Sequence, residues 1–350
     1  MPDNPLSLFQ NANYDRGSAK TTVSGEKSCH RLGKSDQKAV FSQFDILKKP
    51  DVSVTIAGVR FKNPVIAASG TFGCGREYAG LLDVGALGGL CTKGLTLKPK
   101  TGNSGMRLHE TPSGLMNSIG LENPGISAFI EKNLPYIQEL QKQGVVVIAN
   151  LSGSSVEECA EGARLLDICG VDMVELNISC PNVTSGGMAF GLDPETASSV
   201  TRLVRKALHK PLMVKLSPNA PDIIAVASAC IAAGADALSL VNTFKAIAIN
   251  IEKRAPVFDN VSAGLSGPAI RPIAIRMVWE LAGAVAVPII GLGGIACAND
   301  ALEFLLAGAR AVQVGTATFT NPVVMLEIID GIATYMEKKG ISCIEDLSIR

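Results

Sequence analysis

From residue 65 onward, hydrophobic positions recur as short apolar runs, each followed by a loop and then by a longer stretch of helical spacing. Eight runs rich in Val, Ile and Ala predict strands that are buried on both faces. They are VIAAS (65–69), GLCTK (89–93), VVVIAN (145–150), MVELNI (173–178), LMVKLS (212–217), ALSLVN (237–242), PIIGLGG (288–294) and AVQVGT (311–316). The helical candidates between them include 154–169, 194–208, 220–233, 270–285 and 298–307.

This alternation predicts an α/β fold. Eight strand and helix units in about 270 residues are the number expected of a (β/α)8 barrel, the TIM-barrel fold, and a doubly wound open sheet is the competing architecture. Ahead of the repeat, VSVTIAG and VRFKNP alternate around Gly58 and predict a short hairpin. Residues 1–50 are polar and follow neither period, which predicts a flexible extension before a barrel domain at 51–350.

Three connections after predicted strands are much longer than tight turns, namely 94–124, 180–193 and 243–268. In a barrel, the loops that follow the strands all rise from one face, where active sites form. Long loops are usually functional, so the chemistry is expected at this face.

Composition narrows the function classes. The 32 basic and 32 acidic side chains cancel, which argues against a nucleic-acid partner. The nine cysteines are scattered without a CxxC pair, which favours a reducing cytoplasm, and the three distant histidines predict no metal site. The apolar stretch 223–241 is long enough to suggest a membrane span, but Gly234 and Asp236 divide it into a helix and a strand, so a soluble protein is expected.

Polar residues gather where the predicted strands end, and such a buried face needs polar partners of the kind that a planar heterocycle supplies. These residues are Ser69, Lys93, Asn150, Asn177, Lys215, Asn242 and Thr243. Gly293-Gly294 and Gly315-Thr316 end the last two strands, where barrels commonly bind a phosphate. No GxGxxG follows a strand, so direct binding of NAD is not expected.

Cys180 lies where the fourth strand gives way to Pro181 and Asn182. A small buried hydrophobe at a strand end and a reactive thiol are both compatible with this position. The residues alone leave the two interpretations open.

Nine motifs in order make residues 51–346 resemble a class 1 dihydroorotate dehydrogenase, an FMN-containing (β/α)8 barrel of pyrimidine biosynthesis. They are ASGTFGCGREY (68–78), TKG (92–94), ETPSGLMNSIGLENPG (110–125), NISCPNV (177–183), VKLSPN (214–219), VNT (241–243), GLSGPAI (264–270), GLGGI (291–295) and VGTA (314–317). The resemblance implies that Cys180 is the base that removes a proton from C5 of dihydroorotate while hydride leaves C6 for FMN.

The resemblance also implies the other roles. The implied contacts with dihydroorotate or orotate are Lys93, Asn117, Ser118, Ile119, Gly120, Leu121, Asn177, Asn182, Asn242 and Thr243. The implied FMN contacts are Ser69, Lys93, Gly94, Asn150, Asn177, Lys215, Val241, Gly267, Gly293, Gly294, Gly315 and Thr316. Lys215 is implied to lie at the N1 and C2 carbonyl edge of the flavin, where a cation stabilises the reduced, anionic form.

Within the family, SGTFGCGREY (69–78) and GGMAFGLDPE (186–195) resemble class 1B, and Thr184-Ser185-Gly186 after PNV differs from the Pro-Gly-Lys type of continuation usual in class 1A. That class implies a homodimer core with a separate FAD and iron–sulfur subunit, a heterotetramer that passes electrons to NAD. Ala263 departs from the usual glycine, and its methyl group is expected to affect the backbone near the phosphate.

The alternatives are the fumarate-dependent class 1A and the pyrimidine-reducing subunit of a dihydropyrimidine dehydrogenase. A non-catalytic FMN-binding scaffold is disfavoured because Cys180 and both lysines are retained. A tRNA dihydrouridine synthase is disfavoured because the net charge is zero.

Overall fold

The computed structural model describes residues 49–179 and 190–349. Within them, eight parallel strands pair in chain order and close into a barrel. With strands numbered along the chain, the barrel strands are β3 (Val65–Ala67), β4 (Gly89–Cys91), β7 (Val146–Leu151), β8 (Met173–Asn177), β9 (Leu212–Lys215), β10 (Ala237–Leu240), β15 (Ile289–Leu292) and β16 (Ala311–Val314). Each of the eight predicted runs coincides with one of these strands, with β7 extending one residue beyond its run, so the predicted (β/α)8 barrel is confirmed.

The closing pair of strands decides between the two architectures predicted from the sequence. β16 pairs in parallel with β3, with Val314 opposite Ala67, so the last strand returns to the first. A doubly wound sheet stays open, so its first and last strands do not pair. Every residue of β9, β10, β15 and β16 is buried, as expected for parallel strands that are covered on both faces.

Helices surround the barrel and follow the predicted periodicity. They are α1 (Ile126–Lys132), α2 (Leu134–Lys142), α3 (Val156–Ile168), α4 (Pro194–Ala207), α5 (Ile223–Ala232), α6 (Arg271–Ala282), α7 (Ala298–Leu306) and α8 (Val324–Lys339). The five predicted helices correspond to α3 through α7. Side-chain caps begin three of them: Ser155 accepts from the backbone N–H of Glu158 at 3.2 Å, Asp193 from that of Thr196 at 2.8 Å, and Asp222 from that of Ala225 at 2.9 Å.

The apolar stretch 223–241 divides as its sequence predicts. α5 ends at Ala232 and β10 begins at Ala237, with Gly234 in the left-handed region at φ +106° between them. Among the residues that the structure describes, no helix is long and apolar enough to cross a membrane.

Two of the long connections contribute strands of their own. β5 (Leu108–Thr111), β6 (Gly114–Asn117), β11 (Phe244–Ile247) and β14 (Ser262–Ser266) form a four-stranded antiparallel sheet in the order β11, β14, β6, β5. β12 (Ile249–Asn250) pairs with β13 (Ala255–Pro256). The connections after β4 and β10 are therefore tied to each other, because β14 pairs with β6.

The predicted hairpin is present as β1 (Val54–Ile56) and β2 (Val59–Phe61), which pair antiparallel. Phe61 is fully buried, and a Cβ placed on Gly89 would lie 2.9 Å from its ring. Gly89 is the first residue of β4, so the hairpin packs at the amino ends of the barrel strands, opposite the face on which active sites form.

Truncation of Phe61 should destabilise the protein because it leaves a cavity beneath the barrel. We expect Phe61→Ala to lower the free energy of unfolding by about 3–5 kcal/mol in chemical denaturation. Ile251→Ala is the control, because that side chain is 79% exposed and should change stability by no more than about 0.5 kcal/mol. Equal effects of the two substitutions would contradict this packing.

Candidate active site

A buried carboxylate lies in the interior of the barrel. Glu175 of β8 is fully buried, and Gln313 of β16 donates to it at 2.9 Å. β8 and β16 lie on opposite sides of the ring, so this hydrogen bond crosses the barrel. Asn150 Nδ2, Ser239 Oγ and Cys91 Sγ also donate to the carboxylate, at 2.6, 2.7 and 3.2 Å. The sequence prediction included Asn150 but missed the other four members of this cluster.

Lys215, the last residue of β9, supplies the counter-charge. Its Nζ lies 3.7 Å from Glu175 Oε1, and its side chain is 5% exposed. Burial alone would raise the pKa of Glu175, but the Lys215 ammonium and the donated hydrogen bonds outweigh burial and hold the pKa below its ordinary value. Burial, together with the Glu175 charge, raises the pKa of the Cys91 thiol well above its ordinary value. The cluster therefore contains an ion pair and a neutral thiol.

Three buried polar atoms in this region have no hydrogen-bond partner among the described residues: Asn150 Oδ1, Ser152 Oγ and Gln313 Oε1. A buried acceptor without a partner is costly, so such atoms indicate a ligand with N–H or O–H groups. Asn150 Oδ1 is directed toward the loop after β4, because a Cβ placed on Gly94 would lie 3.0 Å from it. Leu121 packs on the same loop, at 3.4 Å from that Cβ position.

Amide side chains form a second group at the carboxyl ends of β8 and β10. Asn177 Oδ1 accepts from the Ser179 hydroxyl at 2.7 Å and from Asn242 Nδ2 at 3.4 Å. Asn242 Nδ2 also donates to the Ser179 hydroxyl, and Asn242 Oδ1 accepts from the Thr243 backbone N–H at 2.8 Å. Asn219, which was not predicted, donates to the Thr243 carbonyl at 3.3 Å. The predicted residues Asn177, Asn242 and Thr243 are thus brought together.

The loop after β6 carries the predicted residues 117–121. Asn117 Nδ2 donates to the Gly264 carbonyl at 3.3 Å, which ties the loop to β14. The Ser118 hydroxyl accepts from Asn103 and Asn260, at 3.1 and 3.2 Å, and its backbone N–H donates to the Arg107 carbonyl. The polar groups of Ser118 are therefore engaged by residues of the neighbouring connections.

Three residues complete this loop. The Ile119 carbonyl accepts from the Asn103 backbone N–H at 3.0 Å. Gly120 and Leu121 both have positive φ angles, at +74° and +58°, so the chain turns sharply between Ile119 and Glu122.

Predicted phosphate-binding glycines meet at the ends of β14, β15 and β16. Gly267 and Gly294 have φ angles of +96° and +76°, and a Cβ on Gly294 would lie 2.8 Å from the Gly267 carbonyl oxygen. Gly293 faces Val241, whose Cγ2 would lie 3.1 Å from a Cβ at that position. The glycines let these backbone segments pack closely together at the strand ends, and backbone turns of this kind commonly bind phosphate.

The remaining predicted cofactor contacts border the same region. Thr316 donates its hydroxyl to Ser266 at 2.8 Å, next to Gly267. A Cβ placed on Gly315 would lie 3.5 Å from the Ala68 Cβ. Ser69 follows Ala68 in the chain. Lys93 lies two residues beyond β4, and its backbone N–H donates to the Gly73 carbonyl at 2.9 Å.

These observations test whether the residues fit FMN. The unpartnered acceptors suit a ring that carries N–H groups, the buried lysine suits a ring that gains negative charge, and the closely packed glycine turns suit a phosphate. The residues present therefore fit this cofactor.

Two predicted residues, the proposed base Cys180 and Asn182, lie outside the described residues. Ala263 is described and lies in β14, where it is buried with Met116 and Phe258. Its methyl group thus fills a small apolar cluster of the antiparallel sheet, four residues before Gly267.

Histidines in the described residues have surface or packing roles. His209 Nδ1 lies 2.8 Å from Asp167 Oδ2 on the surface, and the His109 ring packs edge-on against Phe258 at 6.3 Å. Among the described residues, no group of three or more His, Cys, Asp or Glu side chains is placed to hold a metal ion.

The family model for dihydroorotate dehydrogenase matches residues 51–336. A protein of Petrotoga mobilis is 58% identical over 297 residues, which are 85% of this chain and 98% of the relative. A protein of Geotalea uraniireducens is 52% identical over 300 residues, which are 85% of this chain and 97% of the relative. Both relatives are named dihydroorotate dehydrogenase B (NAD(+)), catalytic subunit. The chain therefore belongs to the dihydroorotate dehydrogenase family and is most similar to its NAD-linked class 1B branch.

Proposed function

We propose that this protein is the catalytic subunit of an NAD-linked dihydroorotate dehydrogenase, which oxidises dihydroorotate to orotate in pyrimidine biosynthesis. The observation that carries the proposal is that the buried Lys215 shares Glu175 with Asn150 and Gln313, whose amide oxygens have no partner among the described residues. The name shared by the relatives supports the NAD-linked branch and gives no support to the class 1A or dihydropyrimidine alternatives.

FMN, when bound, would supply the acceptor for the hydride that leaves C6 of dihydroorotate. Lys215 and Asn150 would hold the flavin ring together with Lys93, Gly94 and Ser69. The Lys215 ammonium would supply positive charge to a ring that becomes negative, which is the electrostatic stabilisation expected of a preorganised site. The backbone around Val241, Gly267, Gly293, Gly294, Gly315 and Thr316 would hold the phosphate end.

The substrate would be held by amides at the carboxyl ends of β8 and β10. Asn177, Asn242 and Thr243 form a connected group that can bond the pyrimidine ring, and the loop of Asn117 to Leu121 would cover it. Asn182 is proposed as a further contact. Cys180 follows Ser179 directly and is proposed to take the proton from C5, so that loss of a proton and a hydride leaves the C5–C6 double bond of orotate.

The protein is also proposed to work in a complex with a second kind of subunit. A homodimer core in the cytoplasm would bind an FAD and iron–sulfur subunit to form a heterotetramer, and that subunit would carry electrons to NAD. The term "catalytic subunit" in the relatives' names supports a partner, and no GxGxxG follows a strand in this chain. Residues 51–350 would be the catalytic domain, with residues 1–50 as an extension.

Removal of the proposed base tests the chemistry. We expect Cys180→Ala to keep its flavin while reduction by dihydroorotate, followed anaerobically in a rapid-mixing experiment, slows by about 10²- to 10⁴-fold. In the unsubstituted protein the rate should rise with pH up to about 8.5, the ordinary pKa of a thiol, because the thiolate is the competent base.

Cys343→Ala is the matched control. The backbone of Cys343 forms a β-bridge with Asp51 beside the amino-terminal hairpin, at the end of the barrel opposite the proposed site. Its reduction rate should equal that of the unsubstituted protein. An unchanged rate in Cys180→Ala would contradict the assignment of the base.

A substitution at Gly294 tests the proposed phosphate site. A methyl group on Gly294 would lie 2.8 Å from the Gly267 carbonyl oxygen, and the backbone φ of +76° at this position is strained for alanine. We therefore expect Gly294→Ala to weaken FMN binding at least about tenfold. Binding is measured by quenching of flavin fluorescence as FMN is added to the apoprotein.

Gly340→Ala provides a matched control, because Gly340 ends α8 at φ +67° with open space around it. It should lose about 1 kcal/mol of stability and keep its FMN affinity. Equal FMN affinities of the two variants would argue against a phosphate site at Gly294.

A further inference from the structure

Glu175 has no role in the proposed reaction, yet five polar side chains contact its buried carboxylate. Side chains from five other barrel strands reach its carboxylate: Cys91, Asn150, Lys215, Ser239 and Gln313. A buried carboxylate is costly unless it is fully paired, so this arrangement has a large energetic consequence.

The first consequence is the orientation of two amides. An ionised carboxylate only accepts hydrogen bonds, so Asn150 and Gln313 must present their nitrogens to Glu175. Their oxygens must then point away, and these are the buried oxygens that have no partner among the described residues. Glu175 thereby makes both amides into acceptors for a ligand.

The second consequence is the charge of Lys215. Its ammonium is buried and lies 3.7 Å from Glu175 Oε1. Cys91 is the other titratable group that contacts the carboxylate in the described part of the chain, and its pKa is raised, so it is a neutral thiol. Without Glu175, the Lys215 ammonium would lose its counter-charge in a buried site, which favours the neutral amine.

We infer that Glu175 is a positioning residue for the cofactor: it keeps Lys215 as a paired ammonium, turns the Asn150 and Gln313 oxygens to the ring, and so sets the electron affinity of the flavin. This inference rests on the proposed function. Glu175 acts through these neighbours and takes no part in hydride or proton transfer.

The flavin midpoint potential of Glu175→Gln, measured by reductive titration against indicator dyes over a range of pH, tests the inference. At acid pH, loss of a buried negative charge should favour the reduced, anionic flavin by about tenfold, a rise of about 30 mV for a two-electron couple. At higher pH the potential should fall through an additional step, as the unpaired Lys215 loses its proton. A potential that matches the unsubstituted protein at every pH would overturn the inference.

Three variants serve as controls. Glu175→Asp keeps the charge and should show no additional step, and Glu175→Gln combined with Lys215→Met should lack the step because the titrating group is gone. Asp172→Asn removes a carboxylate just before β8, where it accepts from the Val147 backbone N–H at 2.7 Å. It should leave the potential unchanged. A step that persists in the double variant would exclude Lys215 as its source and overturn the inference.

If Glu175→Gln does not fold, a second pair of variants measures the effect of Glu175. Replacing both members of a buried ion pair is better tolerated than breaking the pair, so Lys215→Met is then compared with the double variant. The double variant should have the higher potential, because it lacks the negative charge that Lys215→Met retains. Equal potentials would overturn the inference.

The two proposals fail in different ways. The titration uses a chemical reductant and needs no dihydroorotate, so it reports on Glu175 alone. If the protein binds FMN and dihydroorotate reduces it, but the flavin midpoint potential is the same with and without Glu175, this inference is contradicted and the proposed function is not. A flavin that dihydroorotate does not reduce contradicts the proposed function.

Discussion

Burial of the ion pair between Glu175 and Lys215 inside a closed barrel is the constraint on which the site depends. Removing a carboxylate and an ammonium from water costs several kcal/mol for each ion, and their attraction offsets this only when hydrogen bonds satisfy the remaining atoms. The barrel meets this condition because strands on every side of the ring can direct a side chain inward. Gln313 does so from the strand opposite Glu175.

Under the proposed function, the ion pair would also let the barrel bind a ligand that changes charge. A site that carried only the ammonium would bind the reduced flavin too strongly, whereas a neutral pair leaves the two ring states closer in energy. Around this buried layer, the amides of Asn177 and Asn242 and the glycines at Gly267 and Gly294 rise from the carboxyl ends of the strands. The proposed substrate and phosphate ends of the site would therefore share one rigid frame, and the antiparallel sheet ties two of the long loops together.

Much of the fold was predictable because its signals are local. Apolar runs gave the barrel strands, and Ser155 and Asp193 mark helix starts by capping chemistry that depends on three residues of spacing. The sheet of β5, β6, β11 and β14 was missed, because the pairing that joins its two halves, β6 with β14, links residues more than a hundred apart in the chain, and its strands have at most five residues. Glu175 was missed for a related reason. One polar residue inside MVELNI conveys little until closure of the barrel brings Gln313 across to meet it.

The most direct test of the account is the visible spectrum of the purified chain with its flavin, recorded without oxygen before and after dihydroorotate or dihydrouracil is added. The account predicts that dihydroorotate bleaches the flavin and dihydrouracil does not. It also predicts that fumarate fails to restore the colour, whereas the co-expressed FAD and iron–sulfur subunit with NAD succeeds. A flavin that stays oxidised with dihydroorotate, or that only dihydrouracil bleaches, would contradict the account.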